Sequence, residues 1–166
     1  MSPPDNAYIS LGSNLGNRAG NLLLAIRGMF EAGLVVQRLS AIYETEAVEN
    51  LAQPKFLNMV AELDADSLPR SEQLMARLLR VEYALGRTRT EVMGPRTIDL
   101  DLLLRGSETS STPFLTLPHP RMHLRRFVLT PLAELAPNLI HPILNRTISD
   151  LLDKLSDKSS VKRWLP

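Results

Sequence analysis

An α+β fold with one mostly antiparallel sheet follows from three observations on these 166 residues. Short apolar, β-branched runs alternate with two segments of helical period. The order over the first two thirds is β-α-β-β-α-β, the split βαβ or ferredoxin-like arrangement, which predicts helices on one side of the sheet and further elements appended at the C-terminus. No internal repeat, low-complexity tract or linker divides the chain, and 44% hydrophobic with 22% charged residues is enough to bury a core, so residues 1–166 are expected to form one domain.

Each element has its own signal. Ala7 to Leu11 is an apolar run ending in the turn-rich Gly12-Ser13-Asn14. A helix follows, with Leu22, Ile26, Met29 and Phe30 on one face and Gly33 as its stop. Leu34 to Thr45 reads as strand two and Phe56 to Asp64 as strand three, separated by the polar loop "EAVENLAQPK". Leu74, Leu78, Val81 and Leu85 recur at helical spacing, and Gly86 closes that helix. The basic segment "RTRTEVMGPR" is a loop, and "TIDLDLLL" is strand four. Thr130-Pro131 reads as an N-cap with proline at the first position of a third helix through Glu134, and Thr147 to Leu155 as a fourth.

Several classes are excluded at once. The net charge of +1 is too small to argue for nucleic acid, so anion handling must come from local arginines. Without cysteine there are no disulfides, thiolate metal sites or cysteine nucleophile. The N-terminus has neither a basic n-region nor an apolar h-region, and no run approaches the ~20 apolar residues of a membrane span. A soluble, cytoplasmic protein, working as a monomer without nucleic acid or membrane, is expected.

Strand four carries the chemistry. Asp99 and Asp101 lie two apart and share a face, while Ile98, Leu100 and Leu102 take the other. Two like charges side by side are either solvent-side residues of a half-exposed strand or ligands. Arg87, Arg89 and Arg96 in the loop just upstream favour ligands, because carboxylates suit Mg²⁺ and arginines pair with phosphate oxygens in fork-like hydrogen bonds. Together they suggest a nucleotide site. "GSNLGNR" follows a strand and opens a helix but lacks the lysine and glycine spacing of a P-loop, so a capped turn is the better reading. His119, between prolines, has no claim on its own chemistry, and neither have His123 and His141. Phe56 and Phe127 would ordinarily be core residues.

Read together, "YISLGSNLGNR", "FLNMVAEL", "LGRTRTEVMGPRTIDLDLLL" and "LPHPRMHLRRFVLTPLAELAP" resemble the 6-hydroxymethyl-7,8-dihydropterin pyrophosphokinases up to about residue 137. The resemblance implies diphosphate transfer from ATP to a pterin alcohol in folate biosynthesis. It makes Asp99 and Asp101 the ligands of two Mg²⁺ ions, and Arg87 and Arg96 contributors to phosphate neutralisation. It places Glu82, Arg89, Thr116, His119 and Arg125 with Arg87 and Arg96 on the ATP side. Phe56 and Phe127 become the rings between which the pterin stacks, Asn58 the amide on its edge, and Asn14, Thr45 and Val48 the rest of the pocket. Met93 stands where many members carry an aromatic residue, and Ala47 and Glu49 where Pro and Gly are usual; loops 46–55 and 87–97 are expected to act as lids. Two rivals share features with this reading. An RNA-binding module on a ferredoxin-like sheet would want exposed aromatics, and a two-metal nuclease would want more acidic ligands.

Overall fold

The computed structural model describes residues 5–47, 52–86 and 97–166. In chain order these form β1 (Ala7–Ser13), α1 (Arg18–Glu31), β2 (Val36–Leu39), β3 (Tyr43–Thr45), β4 (Phe56–Leu63) and α2 (Ser71–Ala84). There follow β5 (Asp99–Arg105), β6 (Ser110–Ser111), β7 (Thr116–Leu117), α3 (Arg126–Leu135), α4 (Ile148–Asp153) and β8 (Val161–Arg163). The main sheet has the order β5-β1-β4-β3-β8, with β2 also on β4, and every described pairing is antiparallel. That is the predicted ferredoxin-like core with strands added at its edge.

Period-two alternation divides the sheet into two faces. Ile9 and Leu11 of β1, Leu57, Met59, Ala61 and Leu63 of β4, and Leu100 and Leu102 of β5 form the first. Against it α1 packs Leu22, Ala25, Ile26 and Met29, and α2 packs Leu74, Leu78 and Val81. The two helices approach closely at Gly28, where a Cβ would lie 2.8 Å from Val81 Cγ1. Asn17 caps α1 by accepting the Gly20 N–H at 3.0 Å, so "GSNLGNR" is a capped turn. Gly33 and Gly86 end their helices at φ of 82° and 81°, as their sequence positions predict.

Four expectations change. Phe30 lies at the margin of the α1 stripe and is 51% exposed, because Ala25 takes the buried position between Leu22 and Met29. Strand two divides into β2 and β3: at the break Ser40 Oγ accepts the Val60 N–H at 2.9 Å, so a side chain replaces part of the ladder. The third helix begins at Arg126, five residues before Pro131, which sits inside it. There the proline removes the hydrogen bond that an N–H would make to the Phe127 carbonyl, and burial of Val128, Leu129, Leu132 and Leu135 offsets that loss. Finally, α1 and α2 do share one side, but the appended α3 and α4 cover the opposite face, over Tyr8, Val60, Leu103 and Leu104.

Beneath α3 that second face holds a buried polar cluster. Glu62, 3% exposed, accepts the Tyr8 hydroxyl at 2.6 Å and two Arg38 hydrogen bonds at 2.8 and 2.9 Å, while Arg38 Nη2 also donates to the Leu135 carbonyl at 2.8 Å. β1, β2, β4 and the end of α3 are thereby tied together. The Arg38 hydrogen bonds hold the Glu62 carboxyl below its usual pKa although burial pushes the other way. A lowered folded-state pKa contributes stability that is fully present above the unfolded value and is lost as pH falls through the folded one. Glu62→Gln should therefore lose about 1–2 kcal/mol at neutral pH, discounted for the half-exposed Arg38. The difference from wild type in urea midpoints should close on acidification; a gap that stays constant would remove this cluster from the acid response.

Candidate active site

Strand register assembles the site. Asp99 pairs with Gly12, Gly12 with Asn58, and Asn58 with Tyr43, giving one row across four strands on the second face. The next row holds Asp101, Ser10 and Val60. Since neighbouring strands are ~4.8 Å apart, the backbones of Asp99 and Asn58, two strands from each other in the first row, lie about 10 Å apart. α3 covers the apolar part of this face, over Tyr8, Val60, Leu103 and Leu104.

Asp99 and Asp101 are half-buried, with buried Leu100 and Leu102 on the opposite side holding β5 in the core. Glu82 takes part from below: 3% exposed, its carboxylate accepts the Leu100 N–H at 2.7 Å, fixing the backbone between the two aspartates. At the other end Thr45 and Asn58 are buried, and the Asn58 amide donates to Thr45 Oγ1 at 2.6 Å. Phe56, half-buried, sits beside them, its ring edge 3.6 Å from where a Cβ on Gly12 would lie. Asn14 is buried and donates to Gln53 Oε1 at 2.9 Å and the Pro54 carbonyl at 3.1 Å, anchoring the end of the loop before β4. Ala47 is buried too.

The third wall comes from the turn after β7 and the start of α3. His119 donates its backbone N–H to Leu103 on β5 at 2.7 Å, following the cis Leu117–Pro118 bond. Its Nδ1 accepts the Arg121 N–H at 3.1 Å, which leaves the ring proton on Nε2. Burial, then the positive charge of Arg125, lowers its pKa to about 4, against an opposing pull from Asp99. A neutral imidazole beside Asp99 is thus a hydrogen-bond donor, not a cation. Arg125 lies 5.6 Å from the centre of the Phe127 ring, and Phe127 is half-buried on the first turn of α3. Thr116, on the short β6–β7 hairpin, is exposed.

The remaining predicted residues, Arg87, Arg89, Arg96 and Val48, with Met93, Glu49, residues 48–51 of the first expected lid and 87–96 of the second, lie outside the described residues. His141 serves the structure away from this site. It is buried, its Nδ1 accepts the Ile143 and Leu144 N–H groups, and its ring meets His123 edge-on at 5.9 Å. A groove of about 670 Å³ between α1 and α2, lined by Leu24, Arg27, Arg77 and Arg80 among others, holds none of the predicted site residues.

Sequence reasoning passed over Gly12. A Cβ there would come within 2.7 Å of Asn58 Oδ1, so only glycine leaves the amide its place. The available signal was a glycine at the end of an apolar strand, which marks close approach by a neighbour.

A ferredoxin-like domain carrying carboxylates at one end of a strand row, and an amide with a nearby ring at the other, matches the fold and candidate site of the pyrophosphokinase class. The chain belongs to the 7,8-dihydro-6-hydroxymethylpterin-pyrophosphokinase family, whose model matches residues 8–137. That makes it a diphosphokinase of folate biosynthesis. It is 45% identical over 130 residues to the 2-amino-4-hydroxy-6-hydroxymethyldihydropteridine pyrophosphokinase of Bacillus subtilis, covering 78% of this chain and 77% of the relative. The enzyme of the same name from Aquifex aeolicus is 37% identical over 143 residues, 86% of this chain and 88% of the relative. The folic acid synthesis protein fol1 of Pneumocystis carinii is 39% identical over 159 residues, 96% of this chain but 21% of that longer protein. The HPPK-DHPS of Plasmodium falciparum shares the fold, with a TM-score of 0.67 at 14% identity over 93% of this chain and 45% of that one.

Proposed function

We propose that this chain binds ATP and 6-hydroxymethyl-7,8-dihydropterin side by side along the Asp99–Gly12–Asn58 row and transfers the β,γ-diphosphate. The hydroxymethyl oxygen bonds to the β-phosphorus in line, the bond from that phosphorus to the bridging oxygen of the α-phosphate breaks, and AMP leaves with that oxygen. The hydroxymethyl proton is released as the new bond forms. The observation that carries this reading is the strand register, which puts Asp99 and Asn58 in one row two strands apart, so that a bicycle lying on the amide can extend its side chain to phosphates held at the aspartates.

Asp99 and Asp101 would hold two Mg²⁺ ions in this reading. Mg²⁺ takes one or two carboxylates from protein and the rest from water and phosphate, and Asp99 and Asp101 on one face of β5 would supply those carboxylates. When bound, the ions neutralise charge on the phosphate oxygens. Asp99 and Asp101 hold them on a strand that Glu82 and the leucine core keep fixed. His119 donates Nε2–H toward the nucleotide, Arg125 with Arg87, Arg89 and Arg96 balances phosphate charge, and Thr116 lies on the same side. Asn58 and Thr45, with Asn14 and Val48 around them, recognise the pterin edge. Phe56 and Phe127 stack on its faces, and Glu82 acts through the β5 backbone. Positioning and electrostatics supply most of such a transfer.

The same reading takes residues 1–166 as one domain acting as a cytoplasmic monomer. No helix among the described residues is long and apolar enough to cross a membrane. The RNA-module alternative loses ground because α3 and α4 occupy much of the sheet face it would need.

The test is product analysis. AMP and pterin diphosphate should form in equal amounts, only with ATP, pterin and Mg²⁺ all present, and a chelator should stop the reaction. ADP as product, or AMP without pterin, would overturn the assignment.

A further inference from the structure

The family match ends at residue 137, yet the chain continues through α4 and β8 to Pro166. This segment has a path that bears on the site. After α4, Asp157 reaches the start of α3, where its Oδ2 accepts the Arg126 N–H at 3.1 Å. Its Oδ1 accepts the Ser159 N–H at 2.8 Å, which orients the carboxylate. Three residues on from Lys158, β8 pairs with β3, with Val161 opposite Thr45 and Arg163 opposite Tyr43.

α3 lacks a side-chain cap of its own: Arg125, at its N-cap position, makes no such hydrogen bond. The first turn of a helix exposes N–H groups that need partners, and a carboxylate there is favoured by the helix dipole. Asp157 supplies this from 31 residues further along the chain. Burial opposes its ionisation, but the Ser159 and Arg126 backbone N–H groups outweigh that and keep its pKa below the ordinary value. The residues flanking the capped N–H are Arg125 and Phe127, the two that α3 contributes to the proposed site. The same segment, by pairing with β3, also braces the strand that carries Thr45.

We propose that Asp157 is a positioning residue: it fixes the first turn of α3 relative to β3, and so sets the separation between Phe127 with Arg125 on one wall and Thr45 with Asn58 on the other. The C-terminal segment is then a strap around the substrate gap, not simply a cover for the sheet edge. The inference rests on the reading of the site given above.

Substrate constants test it. Asp157→Ala should raise the KM for the pterin, and to a lesser extent that for ATP, about fivefold, the effect of a lost helix cap. kcat should change less, since no group that touches the reacting atoms is removed. Asp157→Asn keeps an oxygen acceptor and should restore most of the loss. Thr147→Ala provides the control. It removes the cap of α4, where Thr147 Oγ1 accepts the Asp150 N–H at 3.1 Å, and so loosens the same segment without touching the start of α3. It should lower thermal stability and leave both KM values at wild type.

If Asp157→Ala keeps wild-type KM values, or if Thr147→Ala raises them equally, the proposal fails. Should Asp157→Ala not fold, Asp157→Ser decides: its shorter side chain does not span to the Arg126 N–H, so a raised pterin KM with kcat retained supports positioning and wild-type constants refute it. A wild-type chain that forms no AMP with the pterin would instead overturn the reading of the site.

Discussion

Asp99→Ala and Asp101→Ala should each lower diphosphoryl transfer by about a thousandfold or more, the several kcal/mol that metal-assisted charge stabilisation contributes to such reactions. Each removes half of the carboxylate set on β5, and no neighbouring acid among the described residues completes a cluster to replace it. The fold should survive. Both side chains are half-exposed, and the strand is held by Leu100, Leu102, Leu103 and Leu104, with Glu82 on the Leu100 N–H. Asp99→Asn and Asp101→Asn keep the side-chain shape and remove the charge, so they should fold like wild type and lose turnover to a similar extent. Adding Mg²⁺ with a non-hydrolysable ATP analogue should stabilise wild type and leave all four variants nearly unmoved. Turnover within tenfold of wild type in either alanine variant would take the metal away from these residues.

The second large effect is expected at Gly12. An alanine there would place Cβ 2.7 Å from Asn58 Oδ1, inside contact distance, while Thr45 Oγ1 holds the other side of the same amide at 2.6 Å. The amide must turn out of its seat or the strand must shift, and β1 is buried between β4 and β5 along its length. Loss of two hydrogen bonds to the pterin, about 1–1.5 kcal/mol each, predicts a fall in pterin affinity of roughly a hundredfold. ATP binding at Asp99, although in the same row, should change little because alanine adds bulk toward Asn58 and Phe56. Titration of each ligand separately by calorimetry would show the asymmetry. Equal losses for both ligands would mean that the strand, not the amide, had moved.

What can be read along the chain depends on the range of the interaction concerned. The alternation of Asp99 and Asp101 with leucines, the capped turn after β1, and the glycines that end α1 and α2 follow from period and local chemistry, and all are found where the residues predict them. Pro131 misled because proline favours a first turn locally. Burial of Val128, Leu129 and Leu132 and a cap from Asp157 start the helix earlier, which no window around Pro131 contains. Ser40 interrupts the second strand by answering Val60, a residue 20 positions away.

Of the candidate site, residue type and a period of two give the two carboxylates at strand spacing with arginines just upstream, signals that act over a few positions. His119, Asn58, Phe56 and Phe127 enter only through the family resemblance. It took the folded chain to put Asp99, Gly12, Asn58 and Tyr43 in one row, to require that Gly12 stay bare beneath Asn58, and to seat α3 on a carboxylate from the far end of the chain. Register and packing bring together residues that are dozens of positions apart, so their consequences exist only once the strands have paired.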